Sequence, residues 1–269
     1  MATAVITGST KGIGRGLAEE FIKRGHNAVI CSRSQTDVDK AVAELNALGP
    51  GKCAGLSCDN TIKSQLQALW DLAVSEFGTV DYWVNNAGLA TARYEAHETP
   101  EDLVTTMISS NLLGTTFGCQ IAISGFRQQG HGALYNVLGG SFDGKFLVPN
   151  MSVYSSTKAG VHLLTKYLLK ENKDQNIIIG MISPGTLITE NYFEEQKHLT
   201  EEEWQKVRPI LSIICDYVET VTPWLTEQIL NNRKNGRRIA WMTTSKMLKR
   251  FAAAKLLGRK RDIFSRFGL

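Results

Sequence analysis

The chain has 269 residues, of which 43% are hydrophobic and 21% charged, with a formal net charge of +4 at pH 7. That length predicts one large α/β domain with a sizeable buried core, and no apolar run approaches the roughly 18 residues that a membrane-spanning helix needs. Five cysteines without C-x-x-C spacing and five scattered histidines argue against a disulfide framework and a metal site, and they favour a cytoplasmic protein with reduced, mostly buried thiols.

Strand-like and helix-like runs alternate along the chain. Continuous apolar runs predict parallel strands covered on both faces, over residues 3–7, 27–31, 53–58, 80–84, 133–138 and 177–182. The first helix-like runs between them cover residues 14–24, 37–48 and 61–77. The alternation predicts an α/β, Rossmann-type doubly wound parallel sheet of about seven strands with helices on both faces, whose ligands bind at the carboxyl ends of the strands.

A glycine-rich turn, TGSTKGIG over residues 7–14, joins the first predicted strand to the first predicted helix. Such a turn leaves backbone N–H groups bare at a positive helix terminus, which suits a pyrophosphate. The spacing differs from G-x-G-x-x-G, so the pattern by itself leaves a plain strand–turn–helix connection open. Its place between strand and helix favours a dinucleotide-binding loop.

The end of the second predicted strand indicates which dinucleotide would bind. A cofactor with a free ribose 2′-hydroxyl favours Asp or Glu at this point, whereas the chain has Ser32 followed by Arg33, with Lys11 in the glycine loop. The Arg33 guanidinium matches phosphate geometry, and Lys11 adds a second positive charge. These residues favour a 2′-phosphate and predict NADPH/NADP⁺ as the cofactor, against the alternative that both are ordinary surface charges.

The stretch GGSFDGKFLVPNMSVYSSTKAG carries the predicted chemistry. Tyr154 and Lys158 are four residues apart at the start of a helix-like run, hence on one face, and Ser141 lies just beyond the strand-like run ALYNVL. Hydride addition to a carbonyl carbon leaves negative charge on oxygen, which a phenol can protonate. We expect Tyr154 to be the general acid and Lys158 to stabilise its phenolate and hold the nicotinamide ribose. We expect the Ser141 hydroxyl to orient the carbonyl and to meet the phenol; the alternative is a core tyrosine and a solvated lysine.

Between about Thr3 and Thr189 these motifs together resemble the short-chain dehydrogenase/reductase superfamily. The resemblance implies an oxidoreductase that forms a homodimer or homotetramer. It implies that Asn111, in SNLLGT, is a further catalytic residue that fixes a water relaying protons to Lys158. The implied cofactor contacts are Gly8, Ser9, Lys11, Gly12 and Ile13 in the glycine loop, Ser32 and Arg33, Asp59 against adenine, Asn86, Ala87 and Gly88 in NNAG, Tyr154 and Lys158, and Pro184, Gly185, Leu187 and Thr189 in SPGTLIT.

The chain departs from the common ending of that superfamily. Where a short tail is expected, a candidate strand over residues 238–243 leads into TSKMLKRFAAAKLLGRKRDIFSRFGL. This extension, GGSFDG and SPGTLITENYF resemble the chlorophyll(ide) b reductase branch, whose members reduce a formyl group on a macrocycle to hydroxymethyl. Related sequences could act on other bulky aldehydes or ketones. We therefore expect an NADPH-dependent carbonyl reductase whose small-molecule carbonyl or alcohol substrate is bulky and apolar.

A substrate lid is predicted over residues 187–223, within a catalytic domain over residues 1–244. Six apolar side chains of this segment could line a pocket for a large hydrophobic substrate, or they could pack the lid onto the sheet; they are Tyr192, Phe193, Trp204, Ile210, Leu211 and Ile214. Both interpretations stay open for each residue.

The remaining residues, 245–269, are predicted to form a basic helical C-terminal extension. Between residues 233 and 269, twelve lysines or arginines stand against a single acid, Asp262. A helix over residues 245–257 could lie on an anionic membrane surface, pack at a subunit interface, bind nucleic acid or stay solvated at the domain edge. No recognisable nucleic-acid module accompanies the charge, so we expect no nucleic-acid partner.

A different class of function also fits the fold. The chain could be a non-catalytic nucleotide-binding sensor or scaffold that docks partners through its basic extension. The set Ser141, Tyr154 and Lys158 argues against this alternative, because a sensor has no need of a proton donor beside the nicotinamide. An NAD-dependent alcohol oxidase is a third alternative, which Ser32 and Arg33 argue against.

Overall fold

A computed structural model describes residues 1–190, 192, 198–256, 258 and 261–267 of the chain. Its strands are β1 (Thr3–Ile6), β2 (Asn27–Ser32), β3 (Cys53–Ser57), β4 (Tyr82–Asn85), β5 (Gly132–Val137), β6 (Ile177–Ser183), β7 (Thr186–Ile188), β8 (Cys215–Tyr217) and β9 (Arg238–Ala240). Seven of them form one parallel sheet in the order β3-β2-β1-β4-β5-β6-β9, and β7 and β8 form a separate parallel pair.

Helices cover both faces of the large sheet. They are α1 (Gly12–Lys23), α2 (Gln35–Asn46), α3 (Lys63–Phe77), α4 (Glu101–Ile108), a π-helical turn (Ser109–Leu113), α5 (Gly114–Gln129), α6 (Ser152–Glu171), α7 (Glu201–Ile214), α8 (Val218–Leu230), α9 (Thr244–Leu256) and a 3₁₀ turn (Ser265–Phe267). One core cluster joins the sheet to α1, α2 and α8, and a second joins it to α3, α5 and α6. The predicted doubly wound α/β fold is therefore confirmed.

The strands are mostly apolar because each face of the sheet meets a helix layer. In β1, Ala4 and Ile6 belong to the cluster with α1, whereas Val5 belongs to the cluster with α3. Successive side chains of a strand point to opposite faces, so a strand buried on both sides shows no regular alternation of polar and apolar residues. This explains why the strands were predictable as continuous apolar runs.

The strand order places a crevice beside β1. The chain moves from β1 outward through β2 and β3, and then returns to the other side of β1 with β4. The connections that follow β1 and β4 therefore diverge at the carboxyl edge of the sheet, where open α/β sheets bind ligands. The glycine loop follows β1 and the NNAG motif follows β4, so the topology brings these two motifs together.

The predicted lid has an internal structure that the sequence pattern did not indicate. It begins on β7, continues through α7 and β8, and ends within α8. β7 and β8 have three residues each, too few to show a period, and the sequence pattern did not predict them. Of the proposed pocket residues, Trp204 is buried in a packing cluster and Ile210 is exposed, while Phe193 lies outside the described residues.

The thiols and the extension follow the predictions. All five cysteines are buried and free. The basic extension begins with a helix, α9, within one residue of the predicted bounds. Across the described part of the chain, no helix combines the length and the apolar character needed to cross a bilayer.

Candidate active site

The glycine loop forms a cradle at the start of α1. The first main-chain bond of the helix runs from the Arg15 N–H to the Lys11 carbonyl, and Lys11 at the N-cap makes no side-chain capping bond. The N–H groups of the first turn before Arg15 therefore have no partner within the helix. Together with the positive end of the helix dipole, they suit a phosphate group.

Two glycines let the backbone take this shape. Gly8 has a φ of +62°, and a Cβ there would lie 2.9 Å from the Cα of Ala87. A Cβ on Gly14 would lie 2.5 Å from the Gly8 carbonyl oxygen and 2.5 Å from Nδ2 of Asn86. The loop is thus a cradle that side chains would fill, and the residues present fit a dinucleotide pyrophosphate.

The NNAG motif is fastened to the glycine loop. Nδ2 of Asn86 donates hydrogen bonds of 3.0 Å to the carbonyls of Thr7 and Gly8. The main-chain N–H groups of Asn86 and Ala87 both donate to Oγ1 of Thr7 at 3.0 Å. The motif therefore holds the edge of the cradle, and Thr7, which the sequence did not single out, is its anchor.

The side chain of Ser9 points into the protein. Its hydroxyl donates to the Ile6 carbonyl and accepts from the Cys31 N–H at 3.1 Å, and the residue is fully buried. Its main-chain N–H also donates to the Cys31 carbonyl at 2.9 Å, so Ser9 ties the loop to β2 through both its side chain and its main chain. Ile13 is partly buried and packs against the core.

The predicted 2′-phosphate residues lie at the carboxyl end of β2 and on the loop. Arg33 and Lys11 are exposed, and neither makes an ion pair with any described residue. Ser32 donates from its hydroxyl to the Ser34 carbonyl at 3.1 Å. Arg33 and Lys11 are thus both available to an anion from solution.

Asp59 follows β3 and starts the turn into α3. Its Oδ1 accepts from the Thr61 N–H at 2.9 Å and from Oγ1 of Thr61 at 2.7 Å. Its own N–H donates to Oε1 of Gln65 at 2.7 Å. The residue predicted to contact adenine is thereby fixed at the carboxyl edge of the sheet.

Tyr154 and Lys158 lie on one face of the first turns of α6. Lys158 is 4% exposed, and its ammonium donates to the Val137 carbonyl at 3.0 Å. Its Nζ lies 5.9 Å from the centre of the Tyr154 ring. Val137 ends β5, so this bond anchors the lysine at the same sheet edge as the glycine cradle.

Burial governs the protonation of the pair. It raises the pKa of the Tyr154 phenol to about 12 and lowers the pKa of the Lys158 ammonium to about 8. We expected Lys158 to lower the pKa of the phenol, and here the structure differs, because desolvation outweighs a charge at this separation. At neutral pH the phenol keeps its proton, as a general acid must.

Ser141 does not meet the phenol as predicted. It has a φ of +59°, its hydroxyl donates to the Phe146 carbonyl, and its own carbonyl accepts from the Gly144 N–H. Among the described residues, the structure has no hydrogen bond between Ser141 and Tyr154. The loop closes on itself through local bonds, which a sequence pattern does not reveal.

The residue against the phenol is Gly139. A Cβ on Gly139 would lie 1.9 Å from the Tyr154 hydroxyl oxygen, so only glycine fits there without a shift of the ring. The sequence contained a hint, since this glycine lies directly after the apolar run that ends β5. The phenol oxygen therefore occupies the space that a side chain at position 139 would need.

Asn111 lies in the π-helical turn and is fully buried. Its side-chain amide donates to the Leu89 carbonyl at 2.8 Å and to Oγ1 of Thr157 at 3.0 Å, and its Oδ1 accepts from the Leu89 N–H at 2.8 Å. The side chain thus fastens the connection after β4 to the helix that carries Lys158. A proton relay through Asn111 would need its main-chain atoms.

The segment from Pro184 to Thr189 closes the other side of the crevice. Gly185 has a φ of +83°, and Leu187 is buried in β7. A Cβ on Gly12 would lie 3.5 Å from Cγ2 of Thr189, so this segment reaches the glycine cradle. The glycine loop, the NNAG motif and this segment therefore lie together, although they are far apart in the sequence.

Comparison with known proteins identifies the family of the chain. A family model for short chain dehydrogenases matches residues 2–200. The probable chlorophyll(ide) b reductase NYC1, chloroplastic, of Arabidopsis thaliana is 31% identical over 263 residues, covering 91% of this chain and 51% of that protein. The chlorophyll(ide) b reductase NOL, chloroplastic, of Oryza sativa subsp. japonica is 38% identical over 192 residues, covering 69% and 56%. The chain thus spans about half the length of these two curated relatives.

A solved structure shares the fold. The X-ray structure of an alcohol dehydrogenase from the archaeon Thermococcus sibiricus, complexed with 5-hydroxy-NADP, superposes with a TM-score of 0.76 at 21% identity, covering 91% of this chain and 97% of that one. The family model extends over residues 2–200, from β1 through β7, and includes the cradle, Tyr154 and Lys158. The chain therefore belongs to the short-chain dehydrogenase/reductase family of oxidoreductases.

Proposed function

We propose that this protein is an NADPH-dependent carbonyl reductase acting on an aldehyde or ketone of a bulky apolar substrate. The observation that carries the proposal is the buried Lys158, held at 3.0 Å from the Val137 carbonyl, with the Tyr154 phenol on the same helix face. The pair lies at the sheet edge that also forms the glycine cradle. A proton donor and a cation beside a dinucleotide site suit carbonyl reduction.

When bound, the reduced nicotinamide supplies the hydride for the carbonyl carbon. Tyr154 holds a proton at its hydroxyl, because burial raises the pKa of the phenol to about 12, and it gives this proton to the developing alkoxide. Lys158 stabilises the negative charge that is left on the phenolate oxygen. Gly139 lets the phenol take this position, because a Cβ there would lie 1.9 Å from the phenol oxygen.

The preference for NADPH over NADH rests on Arg33 and Lys11. Both are exposed and free of ion pairs with the described residues, at the place where the adenosine ribose would bind. Positions 32 and 33 hold Ser and Arg, so neither offers the carboxylate that a free ribose 2′-hydroxyl prefers as a partner. We propose Ser32, Arg33 and Lys11 as the 2′-phosphate site.

The experiment that tests this function is a titration of the purified protein with NADPH and NADH, followed by nicotinamide fluorescence. We expect Arg33→Ala to weaken NADPH binding by about tenfold or more and to change NADH binding little, since a charge-assisted phosphate contact contributes about 1.5–3 kcal/mol. Lys40→Ala is the matched control, because Lys40 is an exposed lysine of α2. Equal losses for both cofactors would contradict the 2′-phosphate site, and binding of neither by the unaltered protein would contradict the function.

A bulky apolar carbonyl compound is the proposed substrate, and a formyl group on a macrocycle is the first candidate. Two relatives are named as chlorophyll(ide) b reductases. The loop after Ser141 exposes Phe146, Leu147 and Val148 close to the catalytic helix in sequence. These three consecutive apolar side chains suit a large hydrophobic molecule. A screen of aldehydes and ketones that includes formyl macrocycles would test the choice.

Assembly, organisation and location complete the proposal. We propose a homodimer or homotetramer in the cytoplasm, with a catalytic domain over residues 1–244, a lid over 187–223 and the basic extension over 245–269. The exposed side chains of Leu248, Lys249 and Lys255 on α9 would allow peripheral contact with an anionic membrane surface. Mixing the protein with anionic and neutral vesicles in a flotation assay would test that contact.

The competing function is a nucleotide-binding sensor or scaffold without turnover. It would require the cradle but not the proton donor. If the protein bound NADPH but reduced no aldehyde or ketone, and Tyr154→Phe left every measurable phenotype unchanged, the sensor would become the better explanation.

A further inference from the structure

A buried carboxylate far from Tyr154 in sequence gathers donors from the last thirty residues of the chain. Asp216, in β8, is 3% exposed. It accepts from Arg250 of α9 at 2.9 Å, from Arg261 at 2.7 Å and from Nε1 of Trp241 at 2.7 Å. Two guanidinium groups of the basic extension are therefore committed to one buried acid, and they are not free charges on a solvated tail.

The same two arginines cap the lid helix α7. Arg261 donates to the carbonyls of Ile213 at 2.9 Å and Cys215 at 3.0 Å, and Arg250 donates to the carbonyl of Ile213 at 3.2 Å. The last carbonyls of a helix lack partners within it and carry the negative end of its dipole. The extension thus satisfies the end of α7 with positive charge.

Apolar contacts join the extension to the lid as well. Phe264 is 1% exposed and packs edge-on against Trp204, with ring centres 5.0 Å apart. It also stacks on Tyr192 at 6.1 Å. The hydroxyl of Tyr217 donates to the Ile263 carbonyl at 3.0 Å. The residues after α9 are part of the lid's own core.

This core is connected to the segment that faces the cradle. In the β7–β8 pair, Asp216 is opposite Leu187, two residues before Thr189, which lies beside Gly12. A second connection runs through Trp241, which donates its side-chain N–H to Asp216 and its main-chain N–H to the Ser183 carbonyl at 3.0 Å. Both connections lead from Asp216 to the segment that starts at Pro184.

We propose that Asp216 is a positioning residue and that the C-terminal extension, through Arg250 and Arg261, clamps the segment from Pro184 to Thr189 in the place where it contacts the nicotinamide. The inference rests on the proposed function. Removing one arginine leaves the buried Asp216 carboxylate with only one of its two positive partners, which is strongly unfavourable. We expect β8 to shift toward water and β7 to move with it. Among the described residues, no hydrogen bond or ion pair joins this cluster to the adenosine end of the site on β2 and β3.

The test compares a complete and a truncated cofactor on the full-length protein. Arg250→Gln and Arg261→Gln are titrated with NADPH and with 2′-phospho-ADP-ribose, which lacks the nicotinamide. We expect NADPH binding to weaken by about tenfold, as indirect couplings commonly do, while binding of 2′-phospho-ADP-ribose stays within about twofold. Amide hydrogen exchange in β7 should accelerate in both variants. Arg261→Lys, which keeps the charge, should recover part of the NADPH affinity.

Lys249→Gln is the matched control, because Lys249 is an exposed cation next to Arg250 on α9. It should change neither ligand's affinity. Equal weakening of both ligands would indicate general destabilisation and overturn the inference, and so would unchanged NADPH binding in both arginine variants. If the unaltered protein bound 2′-phospho-ADP-ribose but not NADPH, the proposed function and the inference would both fail. If it bound NADPH and the variants matched it, only the inference would fail.

Discussion

At the scale of single residues, the decisive side chain is Tyr154. Its phenol holds a proton at neutral pH, and Gly139 leaves room for the phenol at this position. We expect Tyr154→Phe to lower kcat by about 10²- to 10⁴-fold, because general acid catalysis contributes that much, while NADPH binding stays near its original value. Stopped-flow measurement of NADPH oxidation, with cofactor binding measured in parallel, checks this. Loss of binding together with turnover would mean that Tyr154 is structural.

Lys158 gives the site a second property at this scale, a dependence on pH. Burial lowers the pKa of its ammonium to about 8, so the charged form dominates below that pH and is lost as the pH rises through it. We therefore expect the rate of reduction to fall above about pH 8, well before the phenol with a pKa of about 12 ionises. Arginine keeps its charge at every pH of the assay, so the rate of the Lys158→Arg variant should not fall above about pH 8. If the rate of Lys158→Arg still fell above that pH, the fall would come from the titration of another residue.

At the scale of elements, the β1–α1 connection determines whether a dinucleotide fits. A Cβ on Gly14 would lie 2.5 Å from both the Gly8 carbonyl oxygen and the Asn86 amide, so Gly14→Ala must push the loop away from NNAG. We expect a loss of about 1–3 kcal/mol in the free energy of unfolding, as for other overpacked sites, and weaker NADPH binding. Chemical denaturation and cofactor titration measure the two effects.

Gly140→Ala is the matched control for that variant. A Cβ on Gly140 would meet no atom within 4 Å, and the φ angle of Gly140 is not positive, so alanine can adopt its backbone conformation. Its stability should change by less than about 0.5 kcal/mol, as expected of substitutions that touch nothing. If Gly14→Ala were equally harmless, the close approach of the two motifs would not be required for folding.

The elements also explain how far the sequence could be interpreted. Strands buried on both faces leave long apolar runs, so the large sheet, the cradle and the helix that carries Tyr154 and Lys158 were predictable. The hydroxyl of Ser141 was not, because short-range bonds within its own loop decide where it points. The ion pair between Asp216 and Arg261 was not predictable either. The two residues are 45 positions apart, and no period or spacing in the sequence marks them as partners.

At the scale of the whole molecule, the basic residues of the C-terminal extension fall into two groups with different roles. Arg250 and Arg261 of the extension are directed inward to Asp216, whereas Lys249 and Lys255 of the same segment are exposed. Net charge therefore overstates how much of the extension is available to a partner. Because its apolar residues pack with the lid, the extension is an integral part of the folded chain, and its removal would expose Trp204 and Cys215 of the lid core.

Assembly is the last property of the whole molecule. On α6, Leu163 and Tyr167 are four residues apart and 56% and 58% exposed, so they form an apolar strip on one helix face. An apolar strip of this kind favours burial against a second copy. We expect light scattering to give a multiple of the 29.7 kDa chain mass, and Tyr167→Glu to shift the protein to the monomer by placing a charge in the contact. Leu248→Glu, at a site 63% exposed on α9, should leave the assembly unchanged. If the unaltered chain were a monomer, there would be no such contact. If Leu248→Glu dissociated the assembly and Tyr167→Glu did not, the contact would lie on α9 and not on α6.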